Sequence, residues 1–155
     1  MQVRNLGAVA PFLLVFGCTA SPPPGPDVKA IEAAAHGGYV AAINSNDLET
    51  LMADLTDDVV YQSPGAPEMV GKATIRPWAE AYLAAYQIKW DKISIGFTVS
   101  GDWAFERYTY TSTDTDRKTG AVITDVGKGI NIFRRGADGK WRVAIDGWSS
   151  DKPAG

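Results

Sequence analysis

The sequence predicts an α+β domain in which helices come first and the strands of one β-sheet follow. Apolar residues recur at helical spacing in the first half of the domain, and from Gln87 their period changes to two. Apolar and polar residues then alternate as in a strand with one buried face. The apolar positions of this strand are Ile93, Ile95, Phe97 and Val99. A run of helices followed by a run of strands is typical of helices that cover one antiparallel sheet.

Three helices are predicted from capping residues and from the apolar stripes that follow them. The first runs to about Asn44 and contains Gly37 and Gly38, whose presence inside a helix indicates close packing there. In the third helix Pro77 is expected in the first turn, where its missing N–H costs little. The expected caps are Asp27 for the first helix, Asn46 or Asp47 for the second and Thr74 for the third.

Turn residues divide the rest of the domain into strands. Thr56–Asp58 is interpreted as a turn before a short strand, and the Gly-Ala-Asp-Gly sequence at 136–139 predicts a hairpin turn. The predicted strands cover residues 59–62, 93–99, 103–113, 121–134 and 140–149.

Composition excludes several classes of function. The chain has 155 residues, a formal net charge of −3 and a single histidine. A mildly acidic protein without a basic stripe is a poor nucleic-acid binder, because phosphate contacts come from Lys and Arg. One histidine and a domain without cysteine do not make a usual zinc site. No phosphate loop or dinucleotide fingerprint is present, so neither a metal nor a cofactor is expected.

The N-terminal segment indicates export and lipid anchoring. Residues 1–17 carry one positive charge, Arg4, no acid, and an apolar run too short to span a bilayer, which predicts a signal peptide. The following sequence, Val15-Phe16-Gly17-Cys18, resembles the bacterial lipobox, in which the cysteine is lipidated and becomes the new amino terminus. The alternative is an ordinary secretory signal with a stray cysteine.

The predicted organisation is therefore that of a membrane-anchored protein outside the cytoplasm. We expect a signal peptide at 1–17, the lipidated Cys18 and a proline-rich tether at 18–26, one domain at 27–151 and a tail at 152–155. The expected location is the periplasm, with the lipid in the outer membrane where the host has one.

Three stretches of the domain carry a resemblance to a known superfamily. They are 46–52 with 55–61, 71–75, and 127–135 with 138–149. Together they resemble the nuclear transport factor 2-like superfamily, which includes ketosteroid isomerase, scytalone dehydratase and the SnoaL-like polyketide cyclases. The resemblance covers 27–151 and implies a cone-shaped roll, in which a curved antiparallel sheet packs on three N-terminal helices and encloses a pocket. It also implies a homodimer.

Strand alternation divides the side chains of the predicted sheet between two faces. In the superfamily the tryptophan that corresponds to Trp148 faces the cavity, which places Asp146 and Asn131 inside. Glu106 and Tyr108 share one face of their strand. The opposite face of the sheet is apolar and is expected to form the dimer interface. Its residues are Val126, Ile130, Ile132, Val143 and Ile145.

Tyr39 has the most specific resemblance to a functional residue. The segment 39–64 is in register with ketosteroid isomerase, and Tyr39 falls on the tyrosine that donates a hydrogen bond to the substrate oxygen. The same register puts Ser63 at the proton-abstracting aspartate, and the second acid falls near Gly129. Neither residue can do that chemistry, so isomerase activity of that type is not expected. The alternative is that Tyr39 is a core tyrosine with a satisfied hydroxyl.

The candidate site combines aromatic rings with carboxylates. Asp146, with Glu106 and Asp125 nearby, would place several carboxylates around one cavity, as an acid or base or as an amine site. The alternative is a structural pairing with Arg142 or Lys128. The predicted ligand-binding residues are Tyr39, Tyr61, Trp78, Tyr82, Glu106, Tyr108, Asp125, Asn131, Asp146 and Trp148.

Three functions follow from these observations. The leading hypothesis is a domain that binds a small, partly apolar molecule in its cavity. The first alternative is an enzyme of the proton-transfer, dehydratase or cyclase kind, with Asp146 and Tyr39 as its catalytic residues. The second is a non-catalytic dimerisation module whose cavity is filled. His36 lies one helical turn before Tyr39 and is a further candidate at the pocket rim, although a lone helix histidine is more often a packing residue.

Overall fold

The structure is a computed structural model that describes residues 25–153. The predicted signal peptide, Cys18 and most of the proline-rich tether lie outside the described residues, as do the last two residues of the tail. Across 25–153, no helix has the length and apolar character needed to cross a membrane.

The described residues form three helices and six strands, and the predicted α+β class is confirmed. The helices are α1 (Val28–Asn44), α2 (Leu48–Ala53) and α3 (Lys72–Ala85). The strands are β1 (Leu55–Gln62), β2 (Met69–Val70), β3 (Tyr86–Ser100), β4 (Trp103–Asp116), β5 (Val122–Arg135) and β6 (Trp141–Ser150).

All these strands belong to one curved sheet, in the order β2-β1-β6-β5-β4-β3. Neighbouring strands are antiparallel except β1 and β6, which pair in parallel, so the sheet is mixed rather than wholly antiparallel. Parallel neighbours need a long connection, and here the connection contains the rest of the sheet. The helices cover the concave face, where their apolar residues join those of the strands in a single core.

Helices α1 and α2 begin at the predicted caps. The Asp27 carboxylate accepts a hydrogen bond from the amide of Ala30 at 3.1 Å. Asp47 accepts one from the amide of Thr50 at 2.8 Å. Each cap satisfies an N–H group that has no partner within its own helix.

Helix α3 begins earlier than predicted. Gly71 stands at its N-terminus with a φ of +83°, and its amide donates a hydrogen bond to the carbonyl of Val59 at 2.7 Å. This bond fixes the start of the helix against β1. Thr74 therefore lies inside the helix, and Pro77 lies in its second turn instead of its first. Glycine adopts this φ at little cost, and that is why the helix starts there without a side-chain cap.

Strand β1 is longer than predicted. It begins at Leu55, and residues 56–58, predicted as a turn, lie within it. The pairing of β1 with β6 shifts between Leu55 and Val60. The polar sequence at 56–58 thus marks an irregular stretch of strand, and not a break between elements.

A β-bulge divides strand β3. The pairing with β4 shifts between Ser94 and Gly96, which leaves Ile95 as an extra residue. The predicted single apolar face is therefore wrong, because the bulge moves the second half of the strand to the opposite face. Ile93 and Ile95 are exposed on the outer face, whereas Phe97 and Val99 pack against the core.

A second bulge lies in strand β6. Its pairing with β5 shifts by one residue at Ala144. Because a bulge reverses the alternation, Val143 is fully buried in the core, contrary to its predicted place on the outer face. Beyond the bulge, Asp146 is buried beside Asn131, as the alternation predicts. The other residues of the predicted outer face are exposed or half-buried: Val126, Ile130, Ile132 and Ile145.

Two glycines of β5 allow tyrosine rings of β4 to pack against the concave face. A Cβ atom at Gly129 would lie 2.4 Å from the ring of Tyr108 and 2.5 Å from the carbonyl oxygen of Gly147. A Cβ atom at Gly127 would lie 2.7 Å from the ring of Tyr110. No side chain fits at either position, so the rings occupy space that the glycines leave free.

We predict that Gly129→Ala destabilises the protein by about 3 kcal/mol, the upper part of the range for overpacked cores, because neither the ring nor the carbonyl can move freely. Urea-induced unfolding measures the change. The matched control is Gly37→Ala in α1, where nothing lies within 4 Å of an added Cβ and close packing is therefore absent. This control is expected to stabilise the helix by up to about 1 kcal/mol. Equal losses in both variants would contradict the prediction.

Candidate functional site

A pocket lies between the concave face of the sheet and the helices. It holds about 480 Å³ of space free of protein atoms, including its open mouth. Only a small part of this space is wide enough for a water molecule, so the pocket is narrow. Its lining is mainly apolar and aromatic, and consists of Tyr39, Ile43, Leu51, Tyr61, Trp78, Ala79, Tyr82, Leu83, Ile88, Trp90, Asp146 and Trp148.

Three of the contacts between aromatic rings in the lining are at right angles, and a fourth is stacked. Tyr61 meets Trp78 and Trp148 edge to face, with centroids 6.0 and 5.9 Å apart. Trp148 meets Trp90 in the same way at 6.2 Å, and Trp78 stacks on Tyr82 at 5.5 Å. Since Trp78 is 37% exposed, it lies where the pocket opens to solvent.

Asp146 is the one charged residue in this lining, and it is 4% exposed. Its Oδ1 accepts hydrogen bonds from the hydroxyl of Tyr108 at 2.9 Å and from the side-chain amide of Asn131 at 2.7 Å. Its Oδ2 accepts one from the hydroxyl of Tyr39 at 2.7 Å. Donors from α1, β4 and β5 therefore converge on a carboxylate of β6, which forms the floor of the pocket.

The tyrosine hydroxyls form a chain that ends on this carboxylate. The hydroxyl oxygens of Tyr39 and Tyr61 are 2.9 Å apart. Tyr39 has one hydroxyl proton and donates it to Asp146, so Tyr61 is the donor in the contact between the two tyrosines. Burial and the nearby Asp146 carboxylate raise the pKa of both tyrosines. Both hydroxyls therefore keep their protons at neutral pH.

A buried lysine lies within this cluster. Lys92 is 7% exposed, and its Nζ donates a hydrogen bond to Oδ1 of Asn131 at 2.8 Å. The same Nζ lies 3.7 Å from the ring centroid of Tyr108 and 4.7 Å from that of Tyr39. Burial lowers the pKa of Lys92, and the nearby carboxylates oppose this shift. The Asn131 amide thus bridges the lysine and Asp146, which fixes its orientation.

Sequence reasoning missed Lys92. Every second residue of β3 before Lys92 faces inward, and this alternation predicts that Lys92 faces inward as well. The bulge at Ile95 concealed it, because alternation traced back from the apolar residues beyond the bulge assigns Lys92 to solvent. The inward-facing residues are Tyr86, Ile88 and Trp90.

A second pair of ionisable groups lies on the same side of the sheet. The side chain of Glu106 is wholly buried, and its Oε1 lies 2.6 Å from Nδ1 of His36. Neither carboxylate oxygen has a hydrogen-bond partner within residues 25–153. A buried charge is costly unless it is paired, and the His36 ring is the group that contacts the Glu106 carboxylate.

Two more tyrosines donate to carboxylates beside the aromatic walls. The hydroxyl of Tyr82, which lines the pocket, donates to Asp114. The hydroxyl of Tyr110 donates to Asp125 at 2.7 Å, and Ser150 donates to the other oxygen of Asp125 at 2.6 Å. Burial raises the pKa of Asp114. The first of these contacts places a further acceptor group, Asp114, next to the pocket.

The structure brings together most of the predicted ligand-binding residues. Asn131 and Tyr108 lie behind the floor, where both bind Asp146. The predicted residues that line the pocket itself are Tyr39, Tyr61, Trp78, Tyr82, Asp146 and Trp148.

Two predicted residues lie outside this group. Glu106 contacts His36, and Asp125 is held by Tyr110 and Ser150, so the three carboxylates do not share one cavity. Within residues 25–153, Asp146 also forms no ion pair with Arg142 of its own strand or with Lys128 of β5. The two cations considered for it, Arg142 and Lys128, bind Asp138 and Asp151.

Three solved structures are similar to this one. A ketosteroid isomerase-like protein from Erwinia carotovora atroseptica is 28% identical with a TM-score of 0.72, over 82% of this chain and 98% of that one. A nuclear transport factor 2-like protein from Streptomyces avermitilis, provisionally named a dehydratase, is 20% identical with a TM-score of 0.73, over 83% and 100%. A nuclear transport factor 2-like protein with a cystatin-like fold from Novosphingobium aromaticivorans is 20% identical with a TM-score of 0.65, over 83% and 84%.

These structures share the cone fold with this protein, which confirms the resemblance to the nuclear transport factor 2-like superfamily. No curated protein matches the sequence. The family model of the SnoaL-like domain matches residues 37–144, a span that runs from the middle of α1 into β6. The chain therefore belongs to the SnoaL-like family.

Proposed function

We propose that this domain binds a small, flat and mainly apolar molecule in its aromatic pocket. The observation that carries the proposal is one narrow pocket lined by six aromatic side chains above a polar floor. Pockets that bind small molecules are mostly apolar, with a few polar groups that orient the ligand. Here the orienting groups are Tyr39, Tyr61 and Asp146. A single aromatic ring enters when Trp78, at the open side, moves outward.

Proton transfer by Asp146 and Tyr39 is the alternative function, and the geometry supports it less well. A carboxylate has roughly four acceptor positions, and at Asp146 three of them are already filled by hydrogen-bond donors of the protein. The pKa of Tyr39 is raised by burial and by Asp146, which makes its proton harder to release. The same contacts suit a fixed polar floor that orients a bound molecule.

We predict that benzyl alcohol binds in the pocket and shifts the indole N–H signals of Trp78, Trp90 and Trp148 in proton–nitrogen correlation spectra. The signals of Trp103 and Trp141, which do not line the pocket, are expected to stay in place. A ligand at about 100 times its Kd would also add about 2.7 kcal/mol to stability.

The matched variants are Ala79→Leu and Ala84→Leu, both in α3. Ala79 is 1% exposed and lines the pocket, so a leucine there fills it and should abolish the shifts. Ala84 is exposed, so its variant should bind as the wild type does. Binding that survives Ala79→Leu, or shifts confined to Trp103 and Trp141, would count against the proposed pocket.

We also propose that the domain is held outside the cytoplasmic membrane by a lipid on Cys18. The support is the sequence around Cys18 and the proline-rich tether that separates it from α1. Detergent phase partitioning of the full chain, expressed in a Gram-negative host, tests the anchor. The wild type is expected in the detergent phase, and Cys18→Ser in the aqueous phase because it lacks the lipid. The same partitioning for both would contradict the proposal.

We propose, in addition, that the outer face of the sheet pairs with a second copy of the chain. Exposed apolar residues lie on three adjacent strands of this face: Ile93, Ile95, Phe105, Val126 and Ile130. An apolar patch of this kind on a sheet suits a self-complementary contact about a two-fold axis.

Ile130→Glu is expected to convert the dimer to a monomer, because it would bury charges at the contact. Sedimentation velocity of the full chain in mild detergent measures the change. Val70→Glu is the control, since Val70 is 54% exposed against 53% for Ile130 but lies on β2, at the far edge of the sheet. A wild-type monomer, or equal behaviour of the two variants, would refute this contact.

A further inference from the structure

We propose that the pocket selects molecules whose polar group is a hydrogen-bond donor, and in particular a protonated amine on an aromatic body. This inference rests on the proposed function, because it assigns a chemical class to the occupant of the same pocket. It depends on the direction of the hydroxyl protons, the position of the charges and the orientation of the rings.

The floor of the pocket has no hydroxyl proton left for a ligand. Tyr39 donates to Asp146 at 2.7 Å, and Tyr61 donates to Tyr39 because the proton of Tyr39 is already used. If Tyr61 turned its proton towards a ligand, its 2.9 Å contact with Tyr39 would hold two oxygens with no hydrogen between them. The hydroxyl of Tyr61 therefore offers a ligand only lone pairs, which accept from N–H or O–H and repel a carbonyl or carboxylate oxygen.

The positions of Asp146 and Lys92 also favour a cationic ligand. Asp146 lines the pocket, whereas its counter-charge, Lys92, does not. The ammonium group of Lys92 is enclosed by the rings of Tyr39 and Tyr108 and by the amide of Asn131. The carboxylate of Asp146 thus faces the pocket, and Nζ of Lys92 lies behind it. A bound cation therefore meets the carboxylate before it meets the lysine.

The walls suit a cation as well. Tyr61, Trp78, Trp90 and Trp148 meet edge to face, with interplanar angles of 84–87°. Perpendicular rings present faces in more than one direction, and the face of an aromatic ring attracts an ammonium group. Anions gain nothing from such faces, since the ring quadrupole is negative there.

The side of the pocket near α3 repeats the pattern of the floor. Tyr82 donates its hydroxyl proton to Asp114, so it too offers a ligand only lone pairs. The other oxygen of Asp114 is buried and has no hydrogen-bond partner in the described part of the chain. Every tyrosine that lines the pocket thus donates inward to the protein, and the nearby carboxylates add negative potential.

Three probes with the same ring separate the chemical classes: benzylamine, a cationic donor; acetophenone, a neutral acceptor; and benzoate, an anionic acceptor. The full chain is titrated with each at neutral pH, and Kd is read from the indole N–H signals of Trp78, Trp90 and Trp148. Benzylamine is expected to bind at least about tenfold more tightly than acetophenone, equivalent to about 1.4 kcal/mol, and benzoate most weakly.

Two variants test the residue-level argument. Tyr61→Phe removes the lone pairs offered to the amine, and should weaken benzylamine binding about tenfold, as expected for one hydrogen bond to a charged group, while acetophenone binding does not weaken. Tyr110→Phe is the matched control, because its hydroxyl donates to Asp125 and it does not line the pocket. Both variants keep the Asp146 cluster and its donors intact.

The outcomes separate this inference from the proposed function. Tighter binding of acetophenone or benzoate than of benzylamine overturns the selection of donors but leaves the pocket as a binding site. The same holds if Tyr61→Phe and Tyr110→Phe bind benzylamine equally well. If no probe moves the three tryptophan signals, the proposed function and this inference fail together.

Discussion

The structure depends on the burial of one carboxylate and on the donors that surround it. Asp146 of β6 receives hydrogen bonds from Tyr39 of α1, Tyr108 of β4 and Asn131 of β5. One side chain therefore connects the first helix to three adjacent strands. Each bond to a charged group contributes about 1.5–3 kcal/mol, whereas an unpaired buried charge costs far more. The docking of α1 on the sheet and the polarity of the pocket floor are consequently set by the same contacts.

The packing of the sheet makes these contacts possible. Tyr108 reaches Asp146 across Gly129, where a Cβ would overlap the tyrosine ring. Tyr110 lies over Gly127 and binds Asp125, a carboxylate of β5 itself. Gly129 thus lets a tyrosine of β4 span a strand and bind a carboxylate beyond it, whereas Gly127 lets a second tyrosine lie flat on that strand. The hydrogen bonds of both tyrosines therefore depend on the absence of a side chain at Gly127 and Gly129.

The sequence predicts the site as far as regular alternation holds. Asn131 and Asp146 were placed inside correctly because no bulge separates their pairing. Val143 and Lys92 were not, because the bulges at Ala144 and Ile95 reverse the alternation. Gly96 directly follows Ile95, and an isolated glycine inside a strand indicates a bulge, whereas Ala144 has no glycine or proline next to it. The fold class could be predicted because it depends on the order of elements, which a shift of one residue does not change.

The contact of His36 with Glu106 also could not be predicted from the sequence, here because it depends on tertiary structure. Helical spacing places His36 and Tyr39 on one side of α1, and alternation places Glu106 and Tyr108 on one face of β4. Which of these groups meet depends on how the helix crosses the sheet. The position of Tyr39 illustrates the consequence, because its hydroxyl proton could go to a ligand or to the protein. The crossing of α1 over the sheet places Asp146 within 2.7 Å of that hydroxyl, and the carboxylate accepts its proton.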